Sequence, residues 1–293
     1  MLPRPLTLQG RTMPLDPTGL MTLSISPRNV AYDGRDSLLY ALTAGMGCQG
    51  NPDDLPFVWE QAQRTVPSMA TMLAFDDTWL DRAGIDLKQV VHGALDLRFH
   101  KPLAPQGEAV VQARIAGLDD KGAGRAGLVF VETLVSQGNT PACTILSTIF
   151  VRGAGGFGGA VGEQATAAGV PDGPPQTMTQ EPTAQNQALL FRLLGDRNSL
   201  HVDPELARQV GFDRPILHGA CTFAIACAEV LRVFCEHDPA RLARFAARFA
   251  GPLYPGEALN FSFWRDGHRI SFRAHAAERE TIVLDNGLAE LAA

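Results

Sequence analysis

Polar and apolar residues alternate along the last third of the chain. Leu259, Phe261 and Phe263 are separated by polar neighbours, Asp266-Gly267 marks a hairpin, and Ile270 and Phe272 resume the pattern before the apolar run Thr281 to Leu284. This period of two predicts antiparallel strands with one buried face. Ahead of them the pattern changes: Ala220 to Glu236 is apolar nearly all round, with Phe223, Ile225, Ala226, Val230, Leu231 and Phe234, which predicts a helix buried on every side. Asp203-Pro204-Glu205 reads as an N-cap, a proline in the first turn and an acid near the helix start, and Gly211 is placed to end that short helix. One long helix wrapped by an antiparallel sheet, an α+β unit, is the economical packing.

The first half carries the same strands, read at Gly93 to Phe99, Ala109 to Ile115, Gly127 to Leu134 and Cys143 to Val151, with Lys121-Gly122-Ala123-Gly124 as a turn. Its central helix is expected to be shortened, because Pro67-Ser68 and Asp76-Asp77 interrupt the apolar stripe. A direct repeat links the halves. Arg98-Phe99-His100-Lys101-Pro102-Leu103-Ala104-Pro105 matches Arg248-Phe249-Ala250-Gly251-Pro252-Leu253-Tyr254-Pro255 at an offset of 150, and Tyr40-Ala41-Leu42 matches Phe191-Arg192-Leu193 at 151. The expected organisation is a first copy over 1–152, a linker or surface crossover over 153–185 rich in Gly, Ala, Pro, Thr and Gln, and a second copy over 186–293.

Gly153-Ala154-Gly155-Gly156-Phe157-Gly158 satisfies a G-x-G-x-x-G pattern after a strand. Pro171 and Pro174-Pro175 follow in place of a helix, so a dinucleotide site is not expected.

With 293 residues the chain is long enough for two units, and a net charge of -6 argues against a duplex nucleic-acid partner. The five cysteines, Cys48, Cys143, Cys221, Cys227 and Cys235, form no C-x-x-C pair, so a reducing compartment is expected. Met1-Leu2-Pro3-Arg4-Pro5 lacks the apolar core of a secretory signal, no stretch is apolar enough to span a bilayer, and Leu291-Ala292-Ala293 is not a peroxisomal address. A cytoplasmic protein without a membrane partner is the expectation.

The chemistry concentrates in Gly195-Asp196-Arg197-Asn198-Ser199-Leu200-His201, followed by His218-Gly219 at the start of the apolar helix. Taken singly, Asp196 and Asn198 have ordinary roles as turn or helix caps, and His201 and His218 as core histidines. Together, a carboxylate, an amide and an imidazole within one bend are what proton transfer to and from water requires at neutral pH. Gly219 offers a helix-opening N–H with no side chain to block approach, a place for negative charge developing on a carbonyl oxygen. Carrying the repeat register forward sets Asp196, Asn198 and His201 against Gly45, Gly47 and Gly50, so the first copy lacks the polar groups.

Gly195-Asp196-x-Asn198-Ser199-Leu200-His201-x-Asp203-Pro204, then Gly211-Phe212-Asp213-Arg214-Pro215-Ile216-Leu217-His218-Gly219-Ala220-Cys221-Thr222-Phe223, resembles the signature of the type 2, R-specific enoyl-CoA hydratases of the MaoC-like group. Ser199 stands where that family usually has proline. The resemblance implies two tandem hot-dog domains, with chemistry in the second and acyl-chain space in the first. It implies reversible hydration of trans-2-enoyl-CoA to (R)-3-hydroxyacyl-CoA, with Asp196 and His201 holding water, Asn198 orienting it or the histidine, and Gly219 receiving the thioester oxygen. CoA is then part of the substrate and no separate cofactor is expected; a homodimer is the expected assembly.

Arg192, Arg197 and Arg214 flank the motif and are candidates for the CoA phosphates, with solvated surface as the ordinary reading of each. Two rival readings stay open: a hot-dog acyl-CoA thioesterase and a non-catalytic acyl-CoA-binding partner. No metal is expected, because the spacing of Asp196, His201 and His218 matches no standard zinc arrangement.

Overall fold

The computed structural model describes residues 13–163 and 169–292. Met1 to Pro5 and Ala293, read above for targeting signals, lie outside them, as does 164–168 of the expected linker. The first half contributes strands β1 (Arg28–Tyr32), β2 (Val90–Phe99), β3 (Gly107–Asp120), β4 (Gly127–Gln137) and β5 (Thr140–Val151); the crossover contributes β6 (Val161–Gly162) and β7 (Thr177–Pro182). The second half contributes β8 (Leu242–Phe249), β9 (Ala258–Asp266), β10 (Arg269–Ala276) and β11 (Thr281–Leu291). All pair antiparallel in a single 11-stranded sheet ordered β1-β3-β4-β5-β2-β8-β11-β10-β9-β7, with β6 on β3.

The repeat explains the seam. β2 pairs with β8 so that Asp96 lies opposite Ala246, its own counterpart at the 150-residue offset, while Ala94 meets Arg248 and Arg98 meets Arg244. The two copies therefore meet about a local two-fold axis. Arg244 donates to both oxygens of Asp96 across this seam, at 2.9 and 2.6 Å. Counterparts Tyr40 and Phe191 also face each other, their ring centroids 6.2 Å apart.

The central helix runs Gly219–Phe234 and is buried from Cys221 to Leu231. Its Phe223 packs edge-on against Phe245, which stacks on Phe272. Aromatic pairs of this kind add to the stabilisation that burial alone gives. The equivalent of this helix in the first half is broken, as its prolines and aspartates predict: a 3-10 turn at Pro67–Met69 runs into Ala70–Ala74, and Asp76 then accepts from the Thr78 N–H to start a separate turn.

The stretch expected as a linker is partly built into the sheet. β7 covers the edge of β9, with Thr177 opposite Phe263 and Pro182 opposite Ala258. The glycine-rich loop has a structural role: Asp120, at the end of β3, accepts from the N–H groups of Gly122, Gly156 and Gly158 at 2.8, 2.7 and 2.7 Å. Amides of the kind that cradle a phosphate here surround the chain's own carboxylate, whose pKa they pull down to about 2.

Candidate active site

The site is assembled by a sequence of local turns. Gly195 has φ 128, a conformation that favours glycine, and it turns the chain out of the 3-10 turn Arg192–Leu194. Asp196 Oδ1 accepts from the Asn198 N–H at 3.1 Å, and Asn198 Oδ1 in turn caps Leu200 N at 3.0 Å, opening the 3-10 turn Ser199–His201. Asp203 then caps the helix Pro204–Gln209 through Glu205 N and Leu206 N. These consecutive caps fix the direction in which His201 projects.

The chain returns so that Ile216 O accepts from His201 Nδ1 at 2.9 Å. A carbonyl can only accept, so Nδ1 carries the proton and the neutral ring keeps its lone pair on Nε2. His218, at the cap of the central helix, donates from Nε2 to Asp196 O at 3.2 Å. The His201 and His218 rings stack at 3.6 Å between centroids, and the Phe191 ring lies 5.0 Å from that of His218. Both histidines are buried, whereas Asp196 is half-buried.

Burial depresses the pKa of His201, against the raising effects of the Ile216 carbonyl and Asp196. Burial, with His201 adding to it, takes His218 down to about 4. Both rings are therefore neutral at pH 7.

One ligand atom each from Asp196, His201 and His218 lies within 4.8 Å of the others, close enough to raise the question of a metal. The geometry of the rings does not suit one. A metal lies in the plane of each imidazole that binds it, about 2.0–2.1 Å from the nitrogen for zinc. Two planes stacked at 3.6 Å and only 25° from parallel do not meet so close to the rings.

Gly219 is the first residue of the central helix, where backbone N–H groups have no intrahelical partner. A Cβ at this position would stand 3.3 Å from the Phe249 ring, so the absence of a side chain keeps the approach open. The flanking arginines differ in their surroundings. Arg197 and Arg214 are exposed, and Arg214 donates to Pro255 O at 3.3 Å while lying over the Tyr254 ring. Arg192 is half-buried, with Nε partnerless. Arg279, which sequence reading passed over, lies over the same Tyr254 ring and pairs with Glu257.

The first copy shows what replaces the site when its side chains are lost. Gly45, Gly47 and Gly50 all take positive φ (87, 79 and 68). Arg232, from the central helix, donates to Gly45 O at 2.7 Å and to Asp54, and it pairs with Glu181 and Glu229. Gly47 N donates to Asp54 Oδ2 at 2.8 Å, and His237 Nε2 meets Asp54 Oδ1 at 3.1 Å. The space opposite the site is thus filled by an ion network that fastens the two halves together.

Residues 166–286 match the MaoC like domain, and residues 30–153 match the MFE-2 hydratase 2 N-terminal domain. The enoyl-CoA hydratase ChsH3 of Mycobacterium tuberculosis is 34% identical, over 94% of this chain and 98% of its own length. The chain belongs to the MaoC-like, double hot-dog family of hydro-lyases. The peroxisomal multifunctional enzyme type 2 of Mus musculus is 36% identical over 89% of this chain, which spans 36% of that longer protein. A crystal structure of the MaoC-like dehydratase from Phytophthora capsici superposes with a TM-score of 0.85 at 26% identity, covering 95% of this chain and 98% of that one. Both expectations, the α+β double hot-dog architecture and membership of this family, hold.

Proposed function

We propose that this MaoC-like chain hydrates trans-2-enoyl thioesters of coenzyme A reversibly to (R)-3-hydroxyacyl-CoA. The observation that carries the reading is the hydrogen bond from His201 Nδ1 to Ile216 O, which leaves Nε2 free to act as a base in a ring that has one nitrogen within 4.8 Å of an Asp196 carboxylate oxygen. His201 Nε2 takes a proton from a water held by Asp196 as the water oxygen bonds to C3. The electron pair moves to the thioester oxygen, whose charge is received by the Gly219 N–H. The imidazolium then returns the proton to C2 on the same face, so one water is added and no redox partner is needed. Donors at such an oxygen are worth about 3–4 kcal/mol where measured.

Asn198 acts here through the turn it caps, orienting His201. Arg192, Arg197 and Arg214 are the cations proposed for the CoA phosphates, and the space beside the shortened helix Ala70–Ala74 is proposed for the acyl chain. The names of the relatives, an enoyl-CoA hydratase and a peroxisomal multifunctional enzyme, support the substrate class.

Crotonyl-CoA and decanoyl-CoA test this directly. Loss of the enoyl absorbance with crotonyl-CoA, and no thiol released from either, is expected. Release of a thiol, from saturated decanoyl-CoA as well as from crotonyl-CoA, would mark a thioesterase, and binding with neither change would mark an acyl-CoA-binding partner.

A further inference from the structure

The first copy contributes a side chain to this site. In β2 the pairing with β5 shifts register between His92, opposite Ile149, and Ala94, opposite Thr148, so Gly93 is an extra residue. A β-bulge of this kind re-aims a side chain, and bulges are common beside active sites. Leu95 and Leu97 point to the enclosed face of the sheet, and strict alternation would send His92 the other way. The bulge restores it to their side. Gly93 is needed for this, because a Cβ there would lie 3.1 Å from the backbone oxygen of Thr148.

The seam between the copies then decides where His92 arrives. With Ala94 opposite Arg248, two further residues bring β2 to the end of β8. There the His92 ring lies 6.1 Å from the ring of Phe249, and Phe249 is the ring that borders Gly219. His92 is half-buried, and its ring interacts electrostatically with Asp196 and His201. Burial lowers its pKa, so the ring is neutral at pH 7 and keeps one N–H to give. Neither ring nitrogen is hydrogen-bonded to another described residue. Its counterpart at the 150-residue offset is Leu242, buried in the second copy, so the histidine belongs to the first copy alone.

We propose that His92 is a catalytic residue supplied by the otherwise silent copy, its N–H joining that of Gly219 as a second donor to the thioester oxygen. This rests on the hydratase reading above. A helix N–H and a ring N–H, both beside Phe249, would hold the enolate-like oxygen from two directions. A purely apolar first copy could not do this.

The test compares His92→Ala, His92→Gln and His92→Leu with the wild type, by kcat and KM for crotonyl-CoA, with circular dichroism and thermal unfolding as the check on folding. Loss of an oxyanion donor costs about 10²–10³-fold in kcat. A drop of that size is expected in the Ala and Leu variants, with KM little changed and most of the loss recovered by Gln, which retains an N–H. If the Ala variant does not fold, Gln against Leu carries the same comparison. The proposal is overturned if the Ala or Leu variant keeps kcat within about threefold of wild type, if the loss lies in KM alone, or if Gln is as impaired as Leu. A wild type that leaves crotonyl-CoA unchanged would instead sink the hydratase reading itself.

Discussion

His201 is fitted for its proposed work by where its proton is held. With Nδ1 bound to Ile216 O and the ring buried against His218, the imidazole loses its charge at lower pH than an exposed histidine does. A base must be neutral to act, so kcat should stay level as pH falls from 8 through the ordinary histidine value of 6.5 and decline only below it. A decline already under way above pH 7 would contradict this assignment.

His218 makes a separate prediction, on stability. Its folded pKa of about 4 lies below the unfolded value of 6.5, so the unfolded chain takes the proton first. The stability is whole above pH 6.5 and is lost as pH falls towards 4. Urea unfolding should show that loss, and His218→Gln should make it shallower. Asp196, His201 and Gly219 were legible as a motif because their residue types are unusual in one short stretch. The stacking of His218 on His201 was not, since a contact across seventeen residues of chain depends on how the return loop folds.

At the scale of elements, the central helix and its capping glycine were readable because both signals are local: apolar residues on every side, and His-Gly at the start. Gly219→Ala adds a methyl group 3.3 Å from the Phe249 ring, where the thioester must approach. It should lower kcat for crotonyl-CoA by tenfold or more, on the order of 1.4 kcal/mol in the barrier, while leaving the unfolding temperature nearly unchanged. An unaltered kcat would remove Gly219 from the oxyanion site. The bulge at Gly93 was hidden, because a strand with one extra residue has the same composition as a regular one and only the partner strand reveals the shift. The glycine-rich loop misleads in the opposite way: its spacing imitates a phosphate cradle, and only the fold shows Asp120 inside it.

Across the whole molecule, the repeat told how the chain is organised but not that the two sheets join. The 150-residue offset implies two copies, whereas the pairing of Asp96 with Ala246 makes them one sheet and lets the first copy reach the second copy's site. The network around Arg232 holds the same junction, with Asp54 and Glu181 almost wholly buried. Arg232→Leu removes the shared cation of three acids, Asp54, Glu181 and Glu229, and should cost about 3–5 kcal/mol in urea unfolding. Burial raises the Glu181 pKa to about 7 from 4.5. The folded state therefore binds the extra proton between those values, and stability falls as pH rises through them. Glu181→Gln should accordingly raise the unfolding temperature at pH 8 and change it little at pH 4.5. An equal shift at both would show that its charge carries no cost.

In the proposed reaction a carboxylate and an imidazole of the second copy add water to an enoyl thioester. The most direct measurement is turnover of crotonyl-CoA by the wild type, Asp196→Ala and His201→Ala, with chiral analysis of the alcohol formed. The wild type should give (R)-3-hydroxybutyryl-CoA, and each variant, folded by circular dichroism, should be slower by about 10²–10⁴-fold. Near-normal turnover in either folded variant, or an S product from the wild type, would contradict it.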